Sequence, residues 1–348
     1  MKKWFWGLVI LFVIGLAIGS AVIQDMPQSD SEEFLEESDQ MLGEDLQPDG
    51  TPIQITKDHV YKGNLLLINE DHPVPPEAKV SDAVNLSKHS ELVNGYSILD
   101  NSIRLTPFLA HKLSKMIAAA HKDGINHFAL TSGYRDEEEQ ENMYEEKEPG
   151  YALPAGFSEH NLGLAVDIGS TRGMMEHTAE GKWLRENAWK YGFILRYPED
   201  KTEITGIPYE PWHYRYVGLP HSAIMYEHNF VLEEYLDYLK EQKSITYTVN
   251  RKKYTIYYHA IAEDTTIQVP ADRRYDISGN NMDGVIVTVY SEQDDAPTND
   301  VSSDANSTNQ TPTGDTPATE SLNINTPSNE PPVGKTQTDT APLVEKPA

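Results

Sequence analysis

The chain has 348 residues, a formal net charge of −27 and no cysteine. This length fits one large domain or two modest ones. The missing cysteines exclude disulfides, thiolate metal sites, a cysteine nucleophile and a lipid-modified N-terminal cysteine. The acidic balance and the lack of a basic patch argue against nucleic acid as a partner.

The N-terminus indicates the compartment. Residues 4–23, WFWGLVILFVIGLAIGSAVI, are uncharged and almost wholly apolar, and they follow Lys2 and Lys3. About 20 residues at ~1.5 Å each span the ~30 Å hydrocarbon core of a bilayer, and the two lysines should stay cytoplasmic. The sequence favours a retained single-pass anchor over residues 1–23, with the rest of the chain outside. The alternative is a cleaved signal peptide, because residues 19–21 (GSA) are small.

Two strongly acidic segments flank the central part of the chain. Residues 24–50 hold 10 acids and no base, and residues 292–348 hold 10 acids and two lysines. We interpret residues 24–55 as a solvated acidic tether, because they have few aromatic residues and no convincing periodicity. Residues 292–348 have no aromatic side chain and cannot bury enough apolar area to offset their ordering entropy, so we predict a disordered tail.

Between these segments, periodicity and capping signals predict interleaved helices and strands. The first helix begins at Thr106-Pro107, ends at Gly124, and has an apolar face formed by Leu109, Leu113, Met116, Ile117 and Ala120. The other predicted elements are a strand over 126–132, an acidic helix over 136–147, a strand over 164–168, a helix over 181–190, strands over 193–197 and 212–217, and a helix over 221–242. No regular βαβ period is present, which favours an α+β fold.

Residues 244–291 have the patterns of strands and turns only, and they are predicted to form a small β module. ITYTV and KYTIYYHAIA flank residues 250–252 as a predicted hairpin, and YDISG and GVIVTVY supply two further strands. A unit of about 45 residues buries too little apolar area to be stable as a separate domain, so we expect the module to pack on the preceding domain.

Several common catalytic motifs are absent from the sequence, including H-E-x-x-H, the P-loop, G-x-G-x-x-G and S-x-x-K. The nearest approach to a nucleophile elbow is GFSEH at 156–160, where His160 replaces the final glycine. A serine hydrolase with Ser158 as nucleophile would need a strand–turn–helix context, which the sequence around it lacks.

Metal-type ligands lie on separate predicted elements. His160 and Asp167 are seven residues apart, which places side chains on opposite faces of a straight strand. They can converge only if the chain turns between them, and residues 161–163 (NLG) supply a plausible turn.

A second group of candidate ligands lies in YEPWHYRYVG, residues 209–218. His213 shares one strand face with Arg215, and a bend at Pro211 would bring Glu210 beside His213. Two imidazoles and one carboxylate are a common ligand set for catalytic zinc, and a further carboxylate can serve as general base. The alternative, in which both histidines are structural and Glu210 is a surface acid, stays open on these residues alone.

Together, three motifs resemble the VanY-type zinc D-alanyl-D-alanine carboxypeptidases. They are SEHNLGLAVD at 158–167, EPWHYRYVG at 210–218, and SGYR at 132–135 followed by Gln140. The resemblance covers residues 56–291, with a zinc D,D-carboxypeptidase domain over 56–243 and the β module over 244–291. It implies a Hedgehog/DD-peptidase-like antiparallel sheet with helices packed on it and zinc in a surface cleft. The long acidic tail from 292 departs from the usual short C-terminus.

The resemblance also implies roles for individual side chains. One Zn²⁺ ion is expected to be held by His160, Asp167 and His213, with Glu210 as the catalytic carboxylate. Arg135 is expected to hold the substrate near its terminal peptide bond. Ser158, Gln140 and Trp212 are expected to line the substrate site, the first two against the C-terminal D-residue.

The expected function is that of a membrane-anchored enzyme on the extracytoplasmic face of a bacterial cell membrane. It would remove the last D-alanine from peptidoglycan precursors ending in D-Ala-D-Ala and so contribute to glycopeptide (vancomycin) resistance. No obligate protein partner is implied. Two alternatives remain, an L,D-carboxypeptidase acting on tetrapeptides and a non-catalytic cell-wall-binding module.

Overall fold

The structure is a computed structural model that describes residues 50–146, 153–271 and 273–291. The predicted anchor over 1–23 and the predicted tail over 292–348 lie outside the described residues. Within the described part of the chain, no helix is long and apolar enough to cross a membrane.

The strands are numbered in chain order: β1 Thr51–Ile55, β2 Val84–Asn85, β3 Ser97–Ile98, β4 Arg104–Leu105, β5 Phe128–Ser132, β6 Ala165–Ser170, β7 Phe193–Leu195, β8 His213–Tyr216, β9 Ser244–Val249, β10 Lys252–Ala260, β11 Thr265–Val269, β12 Tyr275–Gly279 and β13 Gly284–Tyr290. The α-helices are α1 Pro107–Lys122, α2 Glu137–Glu146, α3 Ala179–Asn187, α4 Thr202–Thr205, α5 His221–His228 and α6 Leu232–Gln242. Short 3₁₀ segments lie at Lys57–Tyr61, Pro76–Ala78, Leu86–Lys88, Ser90–Leu92, Met175–His177, Ala188–Tyr191 and Glu199–Lys201.

A five-stranded sheet of order β3-β5-β6-β8-β7 forms the framework of the site. Its neighbours pair antiparallel except β3 and β5, which are parallel. The α+β prediction is confirmed, and the expected antiparallel sheet has one parallel pair at its edge. Helix α1 packs on this sheet through the predicted apolar face, whose five members are all buried. Burial of that face against β5, β6 and β8 holds the sheet in place.

The predicted tether over 24–55 is wrong at its C-terminal end. Residues 51–55 form β1, which pairs antiparallel with β11, and Ile55 is fully buried. The partner strand lies more than 200 residues away in sequence, so neither local periodicity nor composition indicates the pairing.

The predicted single helix over 221–242 is also wrong. The chain forms α5 and α6, separated where Asn229 adopts a left-handed backbone conformation with φ of 53°. Asparagine tolerates this conformation better than most residues. The break redirects the chain so that α6 buries Leu232, Tyr235, Leu236 and Leu239.

The β module forms a four-stranded antiparallel sheet of order β12-β13-β10-β9. Its β9–β10 hairpin turns at Asn250 and Arg251, with φ values of 56° and 62°, which is the backbone of a tight hairpin turn. One apolar core joins α5 and α6 to β9, β10 and β13. The module therefore packs on the preceding residues, as expected for a unit too small to bury its own core.

Candidate active site

Sheet register and a tight turn bring His160, Asp167 and His213 together. One ligand atom from each lies within 4.8 Å of the others. Asp167 and His213 stand directly opposite each other on β6 and β8. His160 reaches them because the chain turns as predicted between 160 and 163, where Gly163 N–H donates to the His160 carbonyl at 3.2 Å and Gly163 has a φ of 71°.

The shared oxygen of this cluster fits a metal ion. Asp167 Oδ1 lies 3.4 Å from His160 Nε2 and 3.3 Å from His213 Nδ1. The oxygen is buried and accepts no well-formed hydrogen bond. A buried polar atom without a partner is costly, and a cation between these three donors would satisfy it. Two imidazole nitrogens and a carboxylate are the ligands that a catalytic zinc takes.

The outer ring nitrogens of both histidines are occupied. His160 Nδ1 lies 2.6 Å from the Gly133 carbonyl oxygen, and His213 Nε2 lies 3.2 Å from Glu159 Oε2. Because carbonyl and carboxylate oxygens only accept, each of these nitrogens carries the proton and donates. The opposite nitrogens, His160 Nε2 and His213 Nδ1, are thereby left to face Asp167, which is the arrangement that metal-binding histidines use.

Glu210 lies beside the cluster, as its position before Pro211 predicts. Its Oε2 is 3.5 Å from His213 Nδ1. A bend places it there, since His213 N–H donates to the Glu210 carbonyl at 3.2 Å. Burial raises the pKa of Glu210 to about 7 against the opposing charge of His213. A carboxyl group with that pKa can both accept and return a proton near neutral pH.

The electrostatics of the cluster favour positive charge at His213. Burial disfavours its imidazolium, but the nearby carboxylates of Asp167 and Glu159 outweigh burial and raise the pKa of His213 to about 9. The carboxylates that stabilise a proton there would equally stabilise a divalent cation.

Arg135 follows β5 and borders the cluster. Its backbone N–H donates to the His160 carbonyl at 3.3 Å, and Asn161 Nδ2 donates to the Arg135 carbonyl at 2.8 Å. The guanidinium donates to Met143 Sδ. Burial lowers the pKa of His160 and raises that of Glu210; the charge of Arg135 adds to the first effect and opposes the second. Arg135 thus acts electrostatically on the predicted metal ligand and the predicted base.

The three predicted substrate contacts lie in different surroundings. Gln140 is buried on α2, where Nε2 donates to the Leu153 carbonyl at 2.6 Å while its Oε1 is buried without a partner. Ser158 Oγ accepts from His160 N–H at 3.3 Å, in a run of turns rather than a nucleophile elbow. Trp212 is half-buried against the core of the five-stranded sheet. Their roles in substrate binding stay predictions.

Glu159 lies inside SEHNLGLAVD but is not among the residues predicted from the sequence. This residue is fully buried, and its Oε1 accepts from Arg196 Nε at 2.8 Å and from Arg215 Nη1 at 2.7 Å. The two guanidiniums hold the pKa of Glu159 far below its usual range despite the burial. The one available signal was Arg215, a cation on the same predicted strand face as His213.

An α+β fold with a His–Asp–His candidate metal site beside a further carboxylate fits the metallopeptidase class. A sequence model of the VanY family, described as D-alanyl-D-alanine carboxypeptidase, matches residues 102–219. A D-alanyl-D-alanine carboxypeptidase of Enterococcus faecium is 55% identical over 295 residues, which cover 83% of this chain and 97% of that protein. A bifunctional D-Ala-D-Ala dipeptidase and carboxypeptidase of Enterococcus gallinarum is 39% identical, over 51% of this chain and 95% of that protein.

Two solved structures are also similar to the chain. The vancomycin-resistance D,D-dipeptidase VanXYg, solved with a D-Ala-D-Ala phosphinate analogue, aligns with a TM-score of 0.61 and 34% identity, covering 69% of this chain and 99% of that one. The D,D-pentapeptidase VanY of a VanB-type cassette, solved with Zn(II), is 34% identical over 50% of this chain and 98% of that one, with a TM-score of 0.42.

The chain belongs to the VanY family of D-alanyl-D-alanine carboxypeptidases, zinc metallopeptidases that include vancomycin-resistance enzymes. The predictions of the family, the fold class and the enzyme class are confirmed. The predicted ligands form the candidate metal site of this chain.

Proposed function

We propose that the chain is a membrane-anchored zinc D,D-carboxypeptidase. It removes the C-terminal D-alanine from peptidoglycan precursor pentapeptides on the extracytoplasmic face of a bacterial membrane. Loss of the D-Ala-D-Ala terminus removes the glycopeptide target and contributes to vancomycin resistance. The observation that carries the proposal is the His160–Asp167–His213 cluster with Glu210 3.5 Å from His213, in a chain 55% identical to a D-alanyl-D-alanine carboxypeptidase.

His160 Nε2, one carboxylate oxygen of Asp167 and His213 Nδ1 are the atoms that would hold the zinc ion. The chemistry that bound zinc supplies is Lewis acidity, which polarises a peptide carbonyl and brings the pKa of water down to about 7. Three protein ligands leave a coordination position open for that purpose.

Glu210 moves the proton in the proposed reaction. Its carboxylate takes a proton from the attacking water and returns it to the nitrogen of the departing D-alanine. The pKa of about 7 that burial gives Glu210 makes both directions of transfer accessible near neutral pH. Arg135 offers a planar, permanently charged fork to an oxygen of the substrate near its terminal peptide bond.

The remaining predicted contacts orient the substrate. Gln140 has a buried Oε1 that lacks a donor, and an N–H group of the C-terminal D-residue would satisfy it. Ser158 adjoins Glu159 and braces the turn at His160. Trp212 is assigned to the wall of the substrate cleft.

The proposed location follows from residues 4–23. This uncharged apolar run is long enough to cross a bilayer, and Lys2 and Lys3 orient the following chain outward. Expression of the full chain with protease added to intact cells tests this placement. Digestion of the catalytic part only after lysis would contradict it.

The direct test measures zinc content and D-alanine release from a pentapeptide with the purified chain. We expect one zinc ion per chain, loss of release after chelator treatment and recovery on adding zinc. Penicillin should have no effect, because no acyl-enzyme serine takes part. Inactivation by penicillin together with indifference to the chelator would overturn the metallopeptidase mechanism.

A second substrate class has one observation in its favour. The VanXYg D,D-dipeptidase aligns over 99% of its length with a TM-score of 0.61. The assay therefore includes free D-Ala-D-Ala beside the pentapeptide and a tetrapeptide. Preferred release from the pentapeptide supports the proposal, preferred cleavage of the free dipeptide supports a dipeptidase, and preferred release from the tetrapeptide indicates an L,D-carboxypeptidase.

A further inference from the structure

Glu159 is a buried charge that the proposed proton transfers do not use. Its side chain is completely buried between Arg196 and Arg215, which are themselves fully buried. Burying charges is expensive, and replacing such a network by apolar side chains is often neutral or stabilising. A contribution to stability therefore does not explain why a buried carboxylate stands at this position. Its contact with His213 indicates a different role.

The two oxygens of Glu159 have separate partners. Oε1 accepts from Arg196 Nε at 2.8 Å and from Arg215 Nη1 at 2.7 Å. Oε2 lies 3.2 Å from His213 Nε2. A carboxylate at this distance requires a His213 proton on Nε2. Nδ1, which lies 3.3 Å from Asp167 Oδ1, is therefore the ring nitrogen that would give up its proton to bind a metal.

We propose that Glu159 is a positioning residue for His213, which it holds in the tautomer and ring orientation that direct Nδ1 at the metal position. This inference rests on the proposed zinc site. A carboxylate behind a metal-binding histidine also raises the basicity of the ligand nitrogen. His160 has the neutral Gly133 carbonyl in the equivalent place, so His213 is the ligand with the charged support.

The arginines fix the carboxylate in turn. Arg215 Nη2 donates to the backbone carbonyls of Asn64 and Leu66, both at 2.9 Å. Arg196 forms a fork with Glu233 on α6, at 2.9 and 2.7 Å. Bidentate guanidinium contacts hold orientation as well as charge, so Glu159 cannot rotate away from His213 without breaking several buried hydrogen bonds.

The test variant is Glu159→Gln, measured by zinc affinity in competition with a chromophoric chelator. The glutamine oxygen pairs with the two arginines, which turns its NH₂ group toward His213 Nε2. That group donates where Glu159 accepts and so favours the opposite His213 tautomer. We expect zinc to bind about 10- to 100-fold more weakly.

Glu233→Gln is the matched control, because Glu233 pairs with Arg196 and is separated from His213 by that arginine. It removes one negative charge from the same network without reversing the donor that faces His213. Its zinc affinity should stay within about twofold of wild type, even if its free energy of unfolding falls. An equal loss of affinity in Glu233→Gln and Glu159→Gln would overturn the positioning role.

If Glu159→Gln fails to fold, the Glu159→Asp variant and a direct spectroscopic measurement still test the positioning role. The aspartate keeps the charge between the arginines but withdraws the carboxylate from His213, so zinc affinity should again fall. ¹⁵N-histidine NMR of the zinc-loaded wild-type chain should show the His213 proton on Nε2. A proton on Nδ1, or an unchanged affinity in a folded Glu159 variant, contradicts the inference. Failure of wild type to bind zinc instead contradicts the proposed function.

Discussion

Two buried histidines in different regions of the molecule show opposite behaviour. His213 is the first residue of β8, and we call this end of the strands the sheet end. There it lies among the carboxylates of Asp167, Glu159 and Glu210. His221 lies where α5 meets the β module, with Nδ1 2.7 Å from the Tyr235 hydroxyl and Nε2 3.1 Å from Thr288 Oγ1. Burial lowers the pKa of His221 to about 3, whereas the carboxylates overcome burial and raise that of His213 to about 9.

The difference lies in the partners and not in the degree of burial, since both side chains are almost inaccessible. Hydroxyl groups satisfy hydrogen bonds without stabilising an imidazolium, whereas carboxylates do both. The sheet end is thus arranged to hold positive charge, and the α5–module junction is arranged to exclude it. The first region serves chemistry and the second serves cohesion of the fold.

The largest expected effect is on catalysis at the sheet end. Glu210→Gln removes the proposed proton carrier while keeping the shape of the side chain. We expect kcat for D-alanine release from the pentapeptide to fall about 10²- to 10⁴-fold, with zinc affinity largely retained. Glu199→Gln, an exposed substitution on a 3₁₀ segment, serves as the control. Unchanged hydrolysis by Glu210→Gln would rule out the assigned mechanism and favour another base.

A large apolar deletion at the junction tests whether the two regions are separable. Leu236 on α6 is 1% exposed in the core that joins the helices to the module. Leu236→Ala should lower the free energy of unfolding by about 2–5 kcal/mol, measured by denaturant titration. Zinc affinity measured below the unfolding transition should be unchanged. A parallel loss of zinc affinity would show that the junction and the site are coupled.

Burial of His221 predicts that the stability of the fold depends on pH. Its pKa is about 3 in the folded chain and about 6.5 when unfolded. Below about pH 6.5 the unfolded chain therefore takes up a proton that the folded chain refuses, and folding loses stability as pH falls toward 3.

The measurement compares wild type with His221→Gln, which lacks the titrating group and can still form hydrogen bonds. Relative to the variant, wild type should lose about 2 kcal/mol between pH 7 and pH 5, at ~1.4 kcal/mol per pH unit. Denaturant unfolding at several pH values gives the slope. Identical slopes for the two proteins would show that the unfolded and folded pKa values of His221 do not differ.

The candidate metal ligands were easier to predict from the sequence than the groups that support them. The turn over 161–163 is a local signal that lets His160 and Asp167 converge, but the choice of His160, Asp167 and His213 as a ligand set came from the family resemblance. Glu159 was not predicted, since its partners Arg196 and Arg215 lie 37 and 56 residues away. Buried ion pairs depend on which strands become neighbours, and that is a tertiary property. The β1–β11 pairing was missed for the same reason.

The break between α5 and α6, which was not predicted from the sequence, leads to the prediction with the smallest expected effect on stability. Asn229 has a φ of 53°, and its Nδ2 donates to Asp200 Oδ2 at 3.0 Å. The apolar pattern continues across this residue, so periodicity alone favoured one helix. Asn229→Ala and Asn229→Gly both delete the contact with Asp200, but only alanine adds a strained left-handed backbone. We expect the free energy of unfolding of Asn229→Gly to be about 1 kcal/mol higher than that of Asn229→Ala. Equal stability of the two variants would mean that the chain relaxes toward a continuous helix, and that the break belongs to this asparagine rather than to the packing of α6.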